Sequence, residues 1–383
     1  MYAQNEALPL RVGYLLQKNG PDLSVLSGPQ LHTTAVIQGL RKAGDEVRTV
    51  AIQRWQLGWS DDDLKDNWQP PRYGFADRWW FRLVERPLRW LQNHLPLPFL
   101  GLFDALRFAD AAVQLLRGYD VLYERHGYMG FGGVFAARLL NIPLVLELNG
   151  NILKELDEMG LHMSAVQKKI GRWITRYTFL AADHVVVVSE ALKHELVDGL
   201  QIPAEKISVV LNGVDLELFS QPYDHQAVRQ QYHLGAGPVV AFVGSFQPWH
   251  GVEFLVAAFK AVQERFPSAR LLLVGDGEGR ANIMTQLTEL GLQDHIVLTG
   301  RLPQAQVAAI VQAADVLAAP YGFTYGDIVG TPLKIVEYMA AGKAIVASTA
   351  PIHELIADGV TGVRVAPANA DALASGIIRL LED

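Results

Sequence analysis

Hydrophobic positions along this chain fall into short runs. Each run is closed by glycine or another loop-former and followed by a stretch with helical spacing. In the first half, Arg11–Gln17 (RVGYLLQ), Glu46–Ile52, Asp120–Glu124, Pro143–Leu148, His184–Val188 and Ile207–Leu211 read as strands. Between them the spacing predicts helices from Pro29 to near Gly44, over Asp104–Leu116, over Phe131–Leu140, and over Glu190–Asp198 with Ser189 as cap. After Asn212-Gly213-Val214-Asp215 the alternation restarts. Strands are predicted at Val239–Val243, Leu271–Val274, Ile296–Thr299, Val316–Ala319 and Ala344–Ala347. Helices are predicted over Val252–Phe266, from Pro303, and over Asp371–Leu381. Strand and helix alternating in this way give parallel, doubly wound sheets. The expected architecture is α/β, with two Rossmann-like domains, 1–216 and 217–383, facing each other across a cleft.

The stretch Gly326–Ser348 (GDIVGTPLKIVEYMAAGKAIVAS) carries its own helix signals. Thr331 suits the cap, Pro332 the first helical position and Gly342 the left-handed exit. Leu333, Val336, Met339 and Ala340 fall at core spacing, leaving Lys334, Glu337 and Tyr338 to the other face. A lysine in the first turn opposes the helix dipole unless an anion sits there. Backbone N–H groups, a capping hydroxyl and a lysine converging on one point describe a phosphate site, with Glu337 placed to accept from sugar hydroxyls. The plain alternative is a solvated Lys–Glu pair.

Ligands gather at the carboxyl ends of parallel strands. His126, beside Arg125, and Glu147 and Asn149 stand at such ends. Ser27-Gly28 opens the first helix and allows a close approach to a ligand. The first turn lacks G-x-G-x-x-G, so a nicotinamide-dinucleotide fingerprint is missing.

From Gln53 to Leu102 the pattern breaks down. Six of the eight tryptophans lie here (Trp55, Trp59, Trp68, Trp79, Trp80, Trp90), which marks 53–102 as a Trp/Arg-rich insertion. Residues 78–94 set Arg78, Arg82, Arg86 and Arg89 among aromatics against one acid, Glu85, with Pro87 expected to interrupt any single helix. Trp with Arg suits a membrane interface or a lipid-linked substrate; the alternative is an aromatic lid packed on its own domain. Asp61-Asp62-Asp63 reads as a solvated run.

Composition narrows the classes. At 383 residues, half of them hydrophobic and 19% charged, the chain is globular and long enough for two cores. A formal charge of −7 argues against nucleic acid as the main partner. The absence of cysteine excludes disulfides and thiolate metal sites. No apolar run reaches spanning length, and Met1–Leu10 lacks a signal-peptide pattern, so a cytoplasmic location is expected, with a peripheral position at the inner face of the cell membrane as the further option.

VGSFQPWHG, LLVGDGEGR, TPLKIVEYMAAGKAIVAS, VVVVSEALKHEL and VVLNGVDLELF, in their order along the chain, resemble the retaining glycosyltransferases of family 4, of GT-B fold. The likeness is greatest to the branch with P-W-H-G and [S/T]-P-L-K-x-x-E-Y-M-A, associated with cell-surface polysaccharides. It spans nearly the whole chain and is weakest over 53–102.

The resemblance implies a hexosyltransferase that takes a UDP-, GDP- or ADP-linked sugar and delivers it to a saccharide, lipid-linked or small polar acceptor. Glu337 matches the ribose-binding glutamate. Lys334 and the amides around Gly330, Thr331, Pro332 and Leu333 match the loop that holds diphosphate and sugar. Gly244, Ser245, His250 and Gly251 match a loop where many members place an arginine and a lysine; here Ser245 and His250 reduce the charge, and Lys334 is expected to compensate. Gly275-Asp276-Gly277 and Arg301 fall around the base, His126 near the donor sugar, and Ser27-Gly28 near the β-phosphate. Arg125, Glu147 and Asn149 are assigned to the acceptor side. Val329 replaces the first glutamate of the family's E-x7-E. No cofactor and no metal are expected, since no D-x-D stands at a suitable strand end. Relatives usually continue with a helix that crosses back to the first domain, whereas this sequence stops at Leu381-Glu382-Asp383. Two other readings share the fold: a catalytically weak sugar-nucleotide-binding subunit and a non-hydrolysing sugar-nucleotide epimerase.

Overall fold

A computed structural model of the chain describes residues 8–17, 28–53, 56–62, 68–94, 102–128, 130–150, 164–322, 332–348 and 355–383. The chain divides into two units, Met1–Leu211 and Asn212–Asp383. Among the described residues no helix is long and apolar enough to cross a membrane.

Unit 1 runs β1 (Arg11–Leu16), α1 (Gly28–Lys42), β2 (Glu46–Gln53), β3 (Gln56–Ser60), α2 (Trp79–His94), α3 (Leu102–Leu115), β4 (Val121–Arg125), α4 (Gly132–Leu140), β5 (Leu144–Leu148), α5 (Ala165–Ala181), β6 (His184–Val187), α6 (Glu190–His194) and β7 (Ile207–Val209). The sheet order is β3-β2-β1-β4-β5-β6-β7, parallel except for β3 against β2. Between β1 and β4 the winding reverses, so their carboxyl ends frame the crevice where this architecture takes ligands. On one face Val12, Tyr14 and Leu16 pack on Ile37 of α1. Elsewhere Ala105, Phe131 and Ile174 join α3, α4 and α5.

The insertion is more regular than its sequence. Its β3 extends the sheet, and α2 is one helix with Pro87 inside it, so the expected interruption does not occur. Proline removes the N–H that would bond the Leu83 carbonyl. Leu83 and Pro87 both lie on the exposed side of α2, where the loss of that bond leaves no group stranded in the core. Phe81 and Glu85 hold the other side. Glu85 accepts from Arg107 Nε at 2.9 Å and Nη2 at 2.5 Å, and from Arg89 Nε at 2.8 Å. The Arg107 hydrogen bonds, foremost among these, hold its carboxyl below the usual range. Asp61 is likewise engaged and not merely solvated: both its oxygens accept from Arg48 at 2.7 Å.

Unit 2 runs α7 (Leu216–Ser220), α8 (His225–Gln231), β8 (Val239–Val243), α9 (Val252–Arg265), β9 (Arg270–Val274), α10 (Arg280–Glu289), β10 (Ile296–Gly300), α11 (Gln304–Ala313), β11 (Val316–Ala319), α12 (Leu333–Ala340), β12 (Ala344–Ala347), β13 (Val363–Arg364) and α13 (Ala370–Glu382). Its parallel sheet is ordered β10-β9-β8-β11-β12-β13, with the winding reversing between β8 and β11. One face buries Phe242 and Leu273 under Leu255 and Phe259 of α9 and Ile377 of α13. The other buries Ala241 and Leu317 under Val311 of α11 and Ile335 and Tyr338 of α12.

The helix α12 is rotated from its expected orientation. Ile335 and Tyr338 are fully buried and Lys334 and Glu337 nearly so, whereas Met339 is exposed. A hydroxyl sets the rotation. Tyr338 Oη accepts from Val243 N at 2.9 Å, satisfying a backbone donor at the end of β8 that an alkyl side chain would leave unpaired. Pro332 stands at the cap itself, one place earlier than expected, and Gly342 takes the left-handed exit with φ +63°.

Candidate functional site

In unit 2 the loops after β8 and β11 meet the start of α12. Lys334 is 8% exposed, and its Nζ lies 4.2 Å from the ring centroid of Phe242 and 5.1 Å from that of Tyr321. Two ring faces around one ammonium make a cation–π cage. The Nζ has no hydrogen-bond partner among the described residues, and it stands 2.7 Å from where a Cβ on Gly244 would be. Any side chain at position 244 would therefore displace the ammonium. Burial pulls Lys334 down to about 7, with the charge of Glu337 opposing. Burial pushes the Glu337 carboxyl up, against a Gln304 hydrogen bond and the charge of Lys334.

Backbones approach closely around this cage. Gly251 sits at φ +61°, where a Cβ would fall 1.7 Å from the Pro320 carbonyl oxygen, so only glycine fits. His250 is set among the rings of Phe242, Trp249 and Tyr321, and its Nδ1 donates to the Ser245 carbonyl at 2.5 Å. Burial first, and the charge of Lys334 second, drive His250 down to about 3, so its ring is neutral. Gly244, Ser245, His250, Gly251, Lys334 and Glu337 are thus brought together. Gly275 abuts Gly244, and Asp276 joins through its carbonyl, which accepts from Phe246 N at 3.1 Å; Gly277 packs on the same Phe246 backbone. Arg301 is exposed at the end of edge strand β10, with no contact to the Lys334 cage among the described residues. Pro332 and Leu333 open α12 half-buried. Ser27, Val329, Gly330 and Thr331 lie outside the described residues.

In unit 1 the pleat splits the expected residues between two faces of the sheet. Arg125 and Glu147 point to α1, whereas His126 lies on the other face, 4.8 Å from Phe179 of α5 and 7% exposed. Arg125 Nη1 donates to the Pro29 carbonyl at 3.0 Å and to Thr33 Oγ1 at 3.1 Å, tying β4 to the first turns of α1, which Gly28 opens. Glu147 Oε1 takes a short hydrogen bond from His32 Nε2 and a second from Asn149 Nδ2 at 2.5 Å. Burial alone would raise this carboxyl; His32, Arg125 and Asn149 together outweigh it and hold it below its usual range.

Several residues here were not singled out in the sequence. Phe242 and Tyr321 looked like core and loop, yet they form the cage. His32 gave no signal, because it stands inside a helix while attention falls on strand ends. Its place one turn after Gly28, above a topological switch point, was the available cue. Glu124 was also missed. It is fully buried against Gly133 of α4, neither of its oxygens has a partner among the described residues, and burial pushes it up to about 8.

Comparison with known proteins bears on the family and the fold. The family model described as "Glycosyltransferase Family 4" matches residues 26–218, and that described as "Glycosyl transferases group 1" matches 237–383. The chain is 24% identical to an alpha-D-kanosaminyltransferase of Streptomyces kanamyceticus, over 67% of this chain and 66% of that protein. It is 30% identical to a D-inositol 3-phosphate glycosyltransferase of Segniliparus rotundus, over 64% of this chain and 55% of that protein. It is 27% identical to a phosphatidyl-myo-inositol mannosyltransferase of Mycolicibacterium smegmatis, over 76% and 70%. The matches thus cover from about half to under three quarters of these relatives' own lengths. Among solved structures, Anabaena HepE in complex with UDP and glucose superposes with a TM-score of 0.67 at 23% identity, covering 98% of this chain and 90% of that one. A sucrose-phosphate synthase from Thermosynechococcus elongatus gives 0.70 at 20% identity, covering 97% and 90%. These neighbours share the two-Rossmann GT-B architecture. With one family model matching half the chain and a second matching most of the remainder, this protein belongs to glycosyltransferase family 4.

Proposed function

We propose that the chain is a retaining, metal-independent glycosyltransferase that moves a hexosyl group from a nucleoside-diphosphate sugar to a polyhydroxylated acceptor. One observation carries this reading: the ammonium of Lys334 is buried, caged by rings and without a hydrogen-bond partner among the described residues. A buried cation in that condition is costly until an anion arrives. A diphosphate supplies the anion, and its charge grows as the glycosidic bond loosens, so Lys334 binds the transition state more tightly than the ground state. Glu337 accepts from the ribose hydroxyls. The acceptor attacks from the face the diphosphate leaves, and the departing phosphate takes the hydroxyl proton. Arg125, Glu147 and Asn149 serve the acceptor side. The activities for which the relatives are named, on inositol phosphate and phosphatidylinositol among others, and the neighbour that holds UDP and glucose support a nucleotide donor and a polyol acceptor. The test is nucleotide release from UDP-, GDP- and ADP-sugars, with and without an acceptor pool and chelator. Release with one donor, stimulated by acceptor and indifferent to chelator, is the expected result; donor binding without turnover under any acceptor would sink it.

The acceptor's location is part of the proposal. The exposed side of α2 carries Trp79, Leu83, Val84, Leu88 and Trp90, with Arg78, Arg82 and Arg86 beside them. Aromatic and aliphatic side chains flanked by arginines fit an anionic membrane surface. We assign α2 to such a surface, at the inner face of the cell membrane. Replacing Trp79 and Trp80 by alanine is expected to lower sedimentation with anionic vesicles; undiminished binding would favour a lid that serves only its own domain.

A further inference from the structure

Glu147 is 2% exposed at its side chain, and the atoms that could meet a ligand belong instead to its partner, His32, whose side chain is 14% exposed. The pair bridges β5 and α1 at the sheet's carboxyl edge, next to the switch point between β1 and β4. Nε2 is engaged by Glu147 Oε1, and the carboxylate is itself anchored by Asn149. Since Glu147 is held ionised, it is an acceptor only, so the proton between the two groups resides on Nε2. The other ring nitrogen, Nδ1, has no hydrogen-bond partner among the described residues. A carboxylate that fixes one nitrogen of an imidazole so that the other can work on a hydroxyl is an arrangement known from unrelated hydrolases. Tyr14 and Tyr123 lie beside Glu147, and burial first, with Glu147's charge adding to it, keeps both phenols protonated. Among the described residues the charged neighbour of the pair is Arg125, whose Nη1 is spent on Pro29 and Thr33.

We infer that His32 is an acceptor-positioning residue, its Nδ1 hydrogen-bonding one hydroxyl of a sugar or cyclitol while Glu147 and Asn149 hold the ring in place. This rests on the transferase reading for its biological use, but not for its chemistry: a polyol would be recognised whether or not turnover follows. No proton changes hands at His32. His32 orients the acceptor through a hydroxyl that does not react.

The discriminating variant is His32→Gln. A glutamine amide nitrogen reaches the position of Nε2 and keeps the bond to Glu147, but it offers nothing in place of Nδ1. Acceptor KM is expected to rise about three- to tenfold, the loss of one hydrogen bond, with the donor Kd and thermal midpoint unchanged. His32→Leu is expected to raise acceptor KM as much while also lowering the midpoint. The probe is a set of glucose, mannose, N-acetylglucosamine and myo-inositol. Independently of turnover, the His32 Cε1–H resonance, assigned by its absence from His32→Gln, should shift as one of these polyols is titrated. An unchanged acceptor KM in His32→Gln, or a resonance that none of the four polyols moves, would reduce the pair to a structural tie between α1 and β5 and overturn the inference. A shifted resonance in a protein that releases no nucleotide would support the inference and count against the transferase reading instead.

Discussion

Two buried ionisable groups stand at the carboxyl ends of parallel strands, one in each unit, and their surroundings are opposite. Lys334 has two aromatic faces and no hydrogen-bond partner among the described residues. Glu147 has His32 and Asn149 on one oxygen and the charge of Arg125 nearby. The first group is left incomplete and its charge is suppressed; the second is compensated in place and stays ionised. A site built around an uncompensated cation gains most from an anion, and a site whose charge is already neutralised suits an uncharged polyol. On the proposed function the contrast assigns donor chemistry to the first site and acceptor chemistry to the second, a distinction the fold does not draw, since both units wind alike.

The comparison can be broken at either end. Removing Glu147 should cost the most: Glu147→Ala strands the half-buried His32 and Asn149, takes the carboxylate from beside Arg125, and is expected to lower unfolding free energy by about 3–5 kcal/mol, read by urea denaturation. Little change would show that the network is not the anchor described. Lys334→Met should do the reverse, stabilising the free protein by about 1–3 kcal/mol through loss of a buried unsatisfied group, while lowering kcat by about 10²–10³-fold. A variant that loses stability would contradict the cage.

The pH dependence sharpens the same point. Burial holds Lys334 near 7 against an ordinary 10.5. Between those values the unfolded chain holds more protons at this site, so its contribution makes the donor-free protein more stable as pH rises through that window. A diphosphate needs the charged amine, so donor affinity should fall above about pH 7, by at most about tenfold per pH unit, with proton uptake on binding visible in calorimetry across buffers. Lys334→Met should flatten both trends. A separate pH effect is expected at Glu124, raised from 4.5 to about 8 by burial. Its folded value lies above the unfolded one, so its stabilisation is fully present at acid pH and is lost as pH rises through about 8. Glu124→Gln should remove that loss, seen as a urea midpoint that no longer falls between pH 6 and 9 relative to wild type.

Most of the architecture was legible in the sequence because each strand is a buried run ending in a loop-former, and parallel sheets leave that trace. Lys334 was legible as an oddity, a cation in a first turn. Its burial was not, because that depends on Tyr338 turning α12 to meet the Val243 amide, a tertiary contact with no periodicity. His32 was hidden for a related reason: what distinguishes it from any helical histidine is a carboxylate on a strand far along the chain. Pro87 misled because its local penalty depends on which side of the helix faces water, and only packing decides that.

The pairing of β1 with β4 joins Val12 to Val121, and β8 reaches across to β11 at Val240–Val316. Each central contact therefore closes a long loop before its neighbours can reward it, and such high contact order slows folding. As the chain emerges from the ribosome, β1 and β2 must wait for β4 with their edges open, while β3 pairs at once with β2 through a short hairpin. An early antiparallel partner occupies one edge of that waiting ribbon and keeps it from pairing with another chain. On this view the hairpin in the aromatic insertion guards assembly in unit 1, and unit 2, whose strands are all parallel, has no equivalent among its described residues.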